Sequence, residues 1–280
     1  MKITVLMENS AREGCGLTPE HGLSFYIEHK GKRILLDAGS SGRFADNAEA
    51  LGVDLTQVEL AVLSHGHYDH ADGLRRFFAL NKTAPVYIRP SAGGPYFSIK
   101  ADGPRFVGIH RDLWQEHQAR FHSADGLYAL GEGMWLVPKT TSSPEFDSQE
   151  RHLVRKLGEN EFIPDDFSHE QALVFETEEG LVVFSSCSHG GIVNIARSVA
   201  QQLPGKPIRA VLGGLHLYSP GINDLNCTPE YVRLVARTLR EMGLERLWTG
   251  HCTGMTALGL LQEELGDLVQ PLTTGLTIEL

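Results

Sequence analysis

Residues 65–70 carry four side chains that could hold a metal ion. His65, His67, Asp69 and His70 fall within six residues of sequence. Imidazole and carboxylate groups are ligands for zinc, iron and manganese. If these groups were buried without a metal, each would need another partner, because a buried polar group without one costs free energy. Their number and spacing therefore predict a metal site rather than a chance cluster of surface histidines.

The sequence on either side of this run predicts how it is positioned. Residues 60–63 form a short apolar run typical of a buried strand, and residues 74–80 read as the start of a helix. The candidate ligands then occupy a tight turn between a strand and a helix. His65 and His67 can point the same way from an extended turn, while the next two ligands project from the following bend. Such a turn offers two adjacent pockets for metal ions.

Three further histidines follow apolar runs at later points in the chain. His189, His216 and His251 each come after a predicted strand and are flanked by small residues, chiefly Gly and Ser. In layered α/β folds the loops after strand ends form the crevice of the site. Small neighbours let a ligand approach closely. Order and spacing therefore predict an α/β fold in which four strand ends bring imidazoles to one crevice.

These motifs resemble those of a known family. The run Ser64-His-Gly-His-Tyr-Asp-His70 resembles the signature of the metallo-β-lactamase superfamily. It looks most like a branch of predicted metal-dependent hydrolases that resemble a dihydropterin/ribofuranosylaminobenzene 5'-phosphate synthase. Three later motifs look like motifs of the same branch, so the resemblance covers nearly the whole chain: Cys187-Ser-His-Gly-Gly-Ile, Gly213-Gly-Leu-His-Leu and His251-Cys-Thr-Gly. It implies a four-layer αββα sandwich with the metal site at the strand ends, as a single domain over residues 1–280.

The resemblance also implies a ligand set for two divalent metal ions, with zinc expected and iron or manganese as alternatives. One metal would be held by His65, His67 and His189. The other would be held by Asp69, His70 and His251. The superfamily often adds a bridging aspartate, but the comparable place here reads Ser186-Cys-Ser-His189. This departure leaves the bridging ligand and the filling of both metal sites open.

Other residues could belong to the site without being ligands. Asp37, in Asp37-Ala-Gly39, matches an Asp-x-Gly that supports the metal site in the superfamily, and would orient His67 or His70. The alternative is that Asp37 caps the next helix. Cys252 is expected to be structural. Four residues are spare ligand candidates that fit a substrate-binding or structural role better: His169, Glu170, Cys187 and His216.

The implied chemistry is attack by a metal-bound hydroxide on a carbonyl or phosphoryl centre. Zinc can lower the pKa of its bound water from 15.7 to about 7, and a second metal would stabilise the developing oxyanion. Asp69 would both ligate and orient the nucleophile. His216 is the candidate for substrate binding or for proton transfer to the leaving group. The alternative for His216 is a structural histidine within its loop.

Residues 91–164 differ in composition and hydrophobic pattern from the rest of the chain. Gly, Pro, Ser and aromatic residues are frequent there, and hydrophobic periodicity is poor. Long irregular stretches in compact domains are often functional lids, so this segment is interpreted as a loop-rich insertion that covers the metal site. Its candidates for substrate contact are Tyr96, Phe97, Trp114, Lys139, Arg151 and Arg155, although each fits a surface or structural role better.

Composition narrows the class of partner and the compartment. The chain has 280 residues and a formal net charge of −10, without a basic run. This argues against broad nucleic-acid binding, which depends on many cationic contacts to phosphate. No signal peptide and no apolar run of membrane-spanning length is seen. The four cysteines show no CxxC pairing, so a cytoplasmic location is expected.

Three functions are compatible with these observations. The first is a metal-dependent hydrolase of a phosphoester, lactone or other ester of a small molecule. The second is a transferase similar to the pterin-related synthase, with a phosphorylated or pterin-like substrate. The third is a non-catalytic ligand-binding protein on the same scaffold. Proteins that share a fold often differ in function, so the name of the branch is weak evidence for the synthase reaction and the hydrolase is preferred. The oligomeric state is left open.

Overall fold

The computed structural model describes residues 1–147 and 152–280. Arg151 therefore lies outside the described residues. The chain divides into two compact units. Of the described residues, the first unit contains 1–124, 152–165 and 273–280, and the second contains 125–147 and 166–272. Each unit has a large sheet, its own helices and its own hydrophobic core, so the α/β class is confirmed. That residues 1–280 act as a single domain stays a prediction.

The strands of the described residues are numbered in chain order. They are β1 (Lys2–Met7), β2 (Ser24–His29), β3 (Lys32–Leu36), β4 (Leu60–Val62), β5 (Val86–Ile88), β6 (Tyr96–Lys100), β7 (Gly103–Phe106), β8 (Phe121–Ser123), β9 (Tyr128–Gly131), β10 (Met134–Pro138), β11 (Leu153–Lys156), β12 (Phe162–Pro164), β13 (Gln171–Glu176), β14 (Leu181–Phe184), β15 (Ile208–Gly213), β16 (Tyr218–Ser219), β17 (Asp224–Leu225), β18 (Arg246–Thr249), β19 (Val269–Pro271) and β20 (Thr277–Glu279).

The α-helices of the described residues are numbered in the same way. They are α1 (Arg43–Ala50), α2 (Tyr68–Ala71), α3 (Leu74–Leu80), α4 (Arg111–Glu116), α5 (Ile192–Gln202), α6 (Pro229–Glu241) and α7 (Met255–Leu265). Short 3₁₀ segments lie at Leu55–Gln57, Gln118–Arg120, Pro144–Phe146, His251–Thr253 and Gly266–Leu268. None of the helices in the described ranges has the length and apolar character needed to cross a membrane.

The large sheet of the first unit changes from antiparallel to parallel along its width. Its strand order is β20-β1-β2-β3-β4-β5-β8. The pairs from β20 to β3 are antiparallel, and those from β3 to β8 are parallel. Strands β2 and β3 form a hairpin that turns at Lys30 and Gly31, with φ of 49° and 78°. Positive φ at both central residues gives a turn whose twist matches that of the strands.

The core of the first unit joins its helices to the large sheet. Phe44 and Ala48 of α1 are fully buried, four residues apart on one face of the helix. Phe77 of α3 and Leu35 of β3 belong to the same cluster of buried residues. This packing holds α1, α3 and β3 in place around the histidine run at residues 65–70.

Residues 91–164 contain more regular structure than the sequence suggests, so the prediction of a loop-rich segment is wrong for much of it. The segment includes β6 to β12, and β12-β11-β6-β7 form a four-stranded sheet in the first unit. Aromatic rings pack across these strands, with ring centroids 5.4 Å apart for Phe97 and Phe106 and 5.5 Å apart for Phe97 and Phe162. The strands are too short for hydrophobic periodicity to reveal them. A lid role for the segment stays a prediction.

The second unit is built on a sheet of strand order β19-β18-β15-β14-β13-β10-β9. Strands β14, β15, β18 and β19 run parallel to one another, whereas β14 is antiparallel to β13. Helices α5, α6 and α7 contribute to one cluster of buried residues with these strands. Thr228 caps α6, because its side-chain oxygen accepts from the backbone N–H of Tyr231, and Pro229 is the first residue of the helix.

Candidate metal centre

In the first unit, two parallel strands end side by side and deliver the predicted site residues. Leu36 of β3 pairs with Val62 of β4. Asp37 comes directly after β3, and the histidine run begins shortly after β4. Asp37 has φ of 58°, a left-handed conformation that few non-glycine residues adopt. Such backbone positions recur at functional sites because the surrounding structure holds them in place.

The four predicted ligands of this run are brought together in the interior of the unit. The ring centroids of His65 lie 4.7 Å from His67 and 4.2 Å from His70. His65 and His70 have 0% exposure, and Asp69 has 8%. Oδ2 of Asp69 lies 3.6 Å from Nε2 of His70. The run therefore forms a buried cluster of three imidazoles with one carboxylate, here called the first cluster.

Asp37 organises this cluster by accepting three hydrogen bonds. It accepts from the backbone N–H of Ser64 at 2.8 Å, from the Ser64 hydroxyl at 2.7 Å and from Nδ1 of His70 at 2.8 Å. The expectation that Asp37 orients a histidine is confirmed, and that histidine is His70. Asp37 does not cap the next helix, since the N-cap of α1 is Gly42.

The same hydrogen bonds fix the tautomers of two histidines. A carboxylate only accepts, so the proton on the His70 ring lies on Nδ1 and the lone pair of the neutral ring lies on Nε2. The single hydroxyl hydrogen of Ser64 is donated to Asp37, so Nδ1 of His65, at 2.8 Å from the Ser64 hydroxyl, donates to it. His65 thus also carries its lone pair on Nε2. Metal-binding histidines are normally held in this way by a hydrogen bond at the other ring nitrogen.

His21 is a neighbour of the cluster that the sequence pattern did not reveal. Its Nε2 atom lies 3.2 Å from Oδ2 of Asp69, and its side chain is 54% exposed. The next residue, Gly22, has φ of 147°, and a Cβ there would lie 2.5 Å from the carbonyl oxygen of Asp69. A glycine is therefore required for the loop to approach this closely. The signal in the sequence is a lone His-Gly pair in a polar loop, which is too common to be diagnostic.

In the second unit, three parallel neighbouring strands deliver the remaining histidines. Strands β14, β15 and β18 lie side by side, and the carboxyl ends of parallel strands lie on the same side of a sheet. His189, His216 and His251 follow these strands in that order. The ring centroids of His189 and His216 are 4.2 Å apart. The prediction that strand ends gather these imidazoles is confirmed within this unit.

Two cysteines lie among these histidines. Potential ligand atoms of Cys187, His189 and His216 all lie within 4.8 Å of one another. The same holds for Cys187, His251 and Cys252. Burial by itself raises the pKa of Cys252, but its contact with Cys187 and the nearby imidazoles bring that pKa well below its ordinary value. The cysteines are therefore part of the cluster and not remote core residues.

Glu170 holds the loop that carries His189. One carboxylate oxygen accepts from the backbone N–H of His189 and the other from that of Gly190, both at 2.8 Å. Glu170 is 5% exposed, and its burial raises the pKa of the carboxyl group despite these two hydrogen bonds. The Phe167 ring stacks on that of His189, with centroids 4.8 Å apart. Both residues restrain His189, a role that residue type alone did not assign.

The predicted substrate-contact residues divide between neighbours of the clusters and structural residues. Tyr96 lies against the first cluster, with its ring centroid 6.2 Å from that of His67, but its hydroxyl donates to the carbonyl of Ser91. Lys139 lies over the loop of His189, since a Cβ on Gly190 would meet its Cδ at 2.6 Å. The other three candidates in the described residues occupy structural positions. Phe97 belongs to the aromatic cluster, Trp114 stacks on Phe121, and Arg155 lies in β11.

The donor set fits a divalent metal ion. The first cluster offers imidazoles with defined tautomers and a carboxylate, and the second offers imidazoles and thiols. These are the side chains that bind zinc and related transition metals.

Comparison with known proteins identifies the fold as that of the metallo-β-lactamase superfamily. Residues 17–133 match the model of the metallo-beta-lactamase superfamily. A crystal structure described as a metal-dependent hydrolase of the beta-lactamase superfamily is 29% identical, and the match covers 100% of this chain and 99% of that chain with a TM-score of 0.83. A diphosphatase from the PhnP family, 15% identical, matches in fold with a TM-score of 0.58 over 100% of this chain and 97% of that chain.

A relative with a more specific name matches along the whole sequence. The 7,8-dihydropterin-6-methyl-4-(beta-D-ribofuranosyl)-aminobenzene-5'-phosphate synthase of Methanocaldococcus jannaschii is 26% identical, and the match covers 100% of this chain and 96% of that protein. The chain has the fold of the metallo-β-lactamase superfamily, whose general class of activity is metal-dependent hydrolysis with bound divalent metal. The predicted resemblance to the branch of this pterin-related synthase is confirmed.

Proposed function

We propose that this protein is a metal-dependent hydrolase of a phosphoester, lactone or other ester of a small molecule. The observation that carries the proposal is the buried histidine cluster in which Asp37 and Ser64 fix the tautomers of His70 and His65. Such pre-set imidazoles are typical of metal ligands. Similarity to a metal-dependent hydrolase of the same fold supports the reaction class.

The proposed ligand set is the one that the motifs imply. His65, His67 and His189 hold one divalent metal. Asp69, His70 and His251 hold the other. Zinc is the proposed metal, because imidazole-rich sites with few carboxylates suit it. The proposed compartment is the cytoplasm, which is supported by the four cysteines, none of which forms a disulfide within the described residues.

Bound zinc would supply a nucleophile at neutral pH, because it lowers the pKa of coordinated water to about 7. The residues of the chain supply the rest. Asp69 is proposed to orient the nucleophile through its carboxylate, in addition to its ligand role. His216 is proposed to bind the substrate or to protonate the leaving group. Tyr96 and Lys139, which lie against the two clusters, are proposed to contact the substrate.

The test is metal content followed by an ester screen. Elemental mass spectrometry of the purified protein is expected to find about two equivalents of metal per chain, the number in binuclear sites of this chemistry. Phosphodiesters, phosphomonoesters, lactones and thioesters are then assayed with and without a chelator. Hydrolysis that is lost on chelation and restored by zinc supports the proposal. Absence of bound metal after reconstitution would reject it.

A second function is favoured by one specific observation. The match to the pterin-related synthase extends over 100% of this chain and 96% of that protein. The chain would then join a dihydropterin to a ribofuranosylaminobenzene 5'-phosphate compound. Incubation with an activated dihydropterin and such an acceptor, followed by mass spectrometry, would reveal the joined product. Binding of the pterin without either reaction would favour a non-catalytic ligand-binding protein.

A further inference from the structure

Cys187 belongs to the second cluster, which consists of Cys187, His189, His216, His251 and Cys252. It has no role in the ligand set proposed above. Its thiol lies within 4.8 Å of the potential ligand atoms of His189 and His216, which likewise lie that close to each other. Cys187 and His189 are each 2% exposed. Donor atoms around a tetrahedral zinc are separated by roughly 3.3–3.8 Å, because each bond is about 2.0–2.3 Å long. The three atoms thus need to approach one another by at most about 1.0–1.5 Å to share one ion.

The backbone around these three donors is held by hydrogen bonds between two loops. The Ser188 hydroxyl donates to the carbonyl of Gly214 at 2.8 Å and lies 2.9 Å from the Ser185 hydroxyl. The N–H of Gly214 donates to the carbonyl of Ser186 at 2.8 Å. These bonds tie the loop of Cys187 to the loop of His216.

Two further contacts hold the ends of this frame. Cys252 Sγ lies 3.6 Å from the carbonyl oxygen of Cys187, and the Asn226 side chain donates to the carbonyl of His216 at 2.8 Å. A Cβ on Gly214 would lie 2.4 Å from Cys252 Sγ, so glycine is needed for this approach. The donors are therefore pre-positioned and need no loop rearrangement to bind an ion.

We propose that the thiolate of Cys187 is a metal ligand, together with the imidazoles of His189 and His216. This inference rests on the proposed function and names a sulfur donor for the same centre. Thiolate and imidazole together select zinc over manganese, magnesium or calcium, which prefer oxygen. On binding, the thiol proton is released to solvent, as for other cysteine ligands.

The assignment changes the roles of two positions. His189 is shared with the ligand set above, and Cys187 and His216 are alternatives to His65 and His67 as its partners at that metal, because a catalytic zinc has three protein ligands and one position open to water. Cys187 supplies an anionic ligand in the Ser186–His189 segment, where the sequence lacks the aspartate often used in the superfamily. An imidazole of His216 engaged by a metal is unavailable for proton transfer, so the two roles for His216 are mutually exclusive and the same experiment separates them.

X-ray absorption spectroscopy of the zinc-loaded full chain tests the proposal. A sulfur neighbour at about 2.3 Å is expected in addition to nitrogen and oxygen neighbours at about 2.0–2.1 Å. The sulfur neighbour should disappear in Cys187→Ser and persist in the matched controls Cys15→Ser and Cys227→Ser. With two zinc ions per chain, a decrease of about half a nitrogen neighbour per zinc is expected in His216→Ala, which would exclude proton transfer by His216.

The outcomes separate this inference from the proposed function. Bound zinc with only nitrogen and oxygen neighbours, or a sulfur signal that survives in Cys187→Ser, would overturn the Cys187 assignment and leave a metal-dependent hydrolase standing. No bound zinc at all would overturn both. If Cys187→Ser does not fold, the triple variant Cys15→Ser/Cys227→Ser/Cys252→Ser leaves Cys187 as the one thiol of the four. Retention of the sulfur signal there supports the assignment, and its loss rejects it.

Discussion

The Asp37 carboxylate accepts from Nδ1 of His70 at 2.8 Å, although 33 residues separate them in sequence. Both side chains have 0% exposure. Such a partner orients a ligand imidazole and raises its basicity. The pair links the end of β3 to the turn after β4, and so couples the geometry of the sheet to that of the histidine cluster.

Asp37→Asn is expected to weaken metal binding by about 10–100-fold, the usual cost of losing such a partner. An amide presents only one acceptor atom, so its NH₂ group would face one of the donors that Asp37 now accepts from. Affinity is measured by competition with a chromophoric chelator. The control is Asp54→Asn, an exposed carboxylate in the same unit. Equal affinity of the two variants would contradict the role assigned to Asp37.

The parts of the site that local sequence determines could be predicted. The ligand run sits at a strand end, and three later histidines follow parallel strands, because strand, Gly-rich turn and helix each leave a local pattern. Thr228-Pro229 marked the start of α6 for the same reason. The general position of Asp37 followed from the resemblance, but its partner His70 did not, since that pairing depends on how β3 and β4 lie beside each other.

Other features depend on contacts between distant segments and could not be read from the chain. The sheet β12-β11-β6-β7 joins residues near 100 to residues near 160, and its strands are three to five residues long. Glu170 was a spare ligand candidate by residue type, whereas its carboxylate holds the loop of His189. His21 was missed because only the close approach at Gly22 brings it to Asp69.

Glu170→Gln is expected to destabilise the fold by about 1–3 kcal/mol, the cost of a buried donor left without its acceptor. Only one of the two backbone N–H groups that Glu170 now binds could keep an oxygen acceptor. The free energy of unfolding is measured in urea, without metal and then with zinc. Glu179→Gln, on the exposed turn between β13 and β14, is the control. A stability change no larger than that of the control would show that the carboxylate does not hold this loop.

Cys227 is expected to alkylate slowly at neutral pH. Burial raises the pKa of its thiol to about 11, and the thiolate is the reactive form. Because the folded protein retains this proton, the alkylation rate should rise about tenfold per pH unit from pH 7 to pH 10, whereas that of free cysteine levels off near its pKa of about 8.5. Peptide mass spectrometry after timed exposure to iodoacetamide measures the rate. A plateau near pH 9 would show that the thiol is not desolvated.

His67→Ala and His251→Ala are each expected to remove metal and activity together. The two residues come from different units, and each is a proposed ligand of a different metal. Loss of one ligand from a site of three typically costs more affinity than loss of an orienting partner, so the decrease should exceed the 10–100-fold expected for Asp37→Asn. Metal content and hydrolysis are measured on the same samples. His122→Ala, at an exposed histidine of β8, is the control. Activity at the wild-type level in either ligand variant would reject its assignment, and loss of activity with full metal content would instead point to a role in substrate binding.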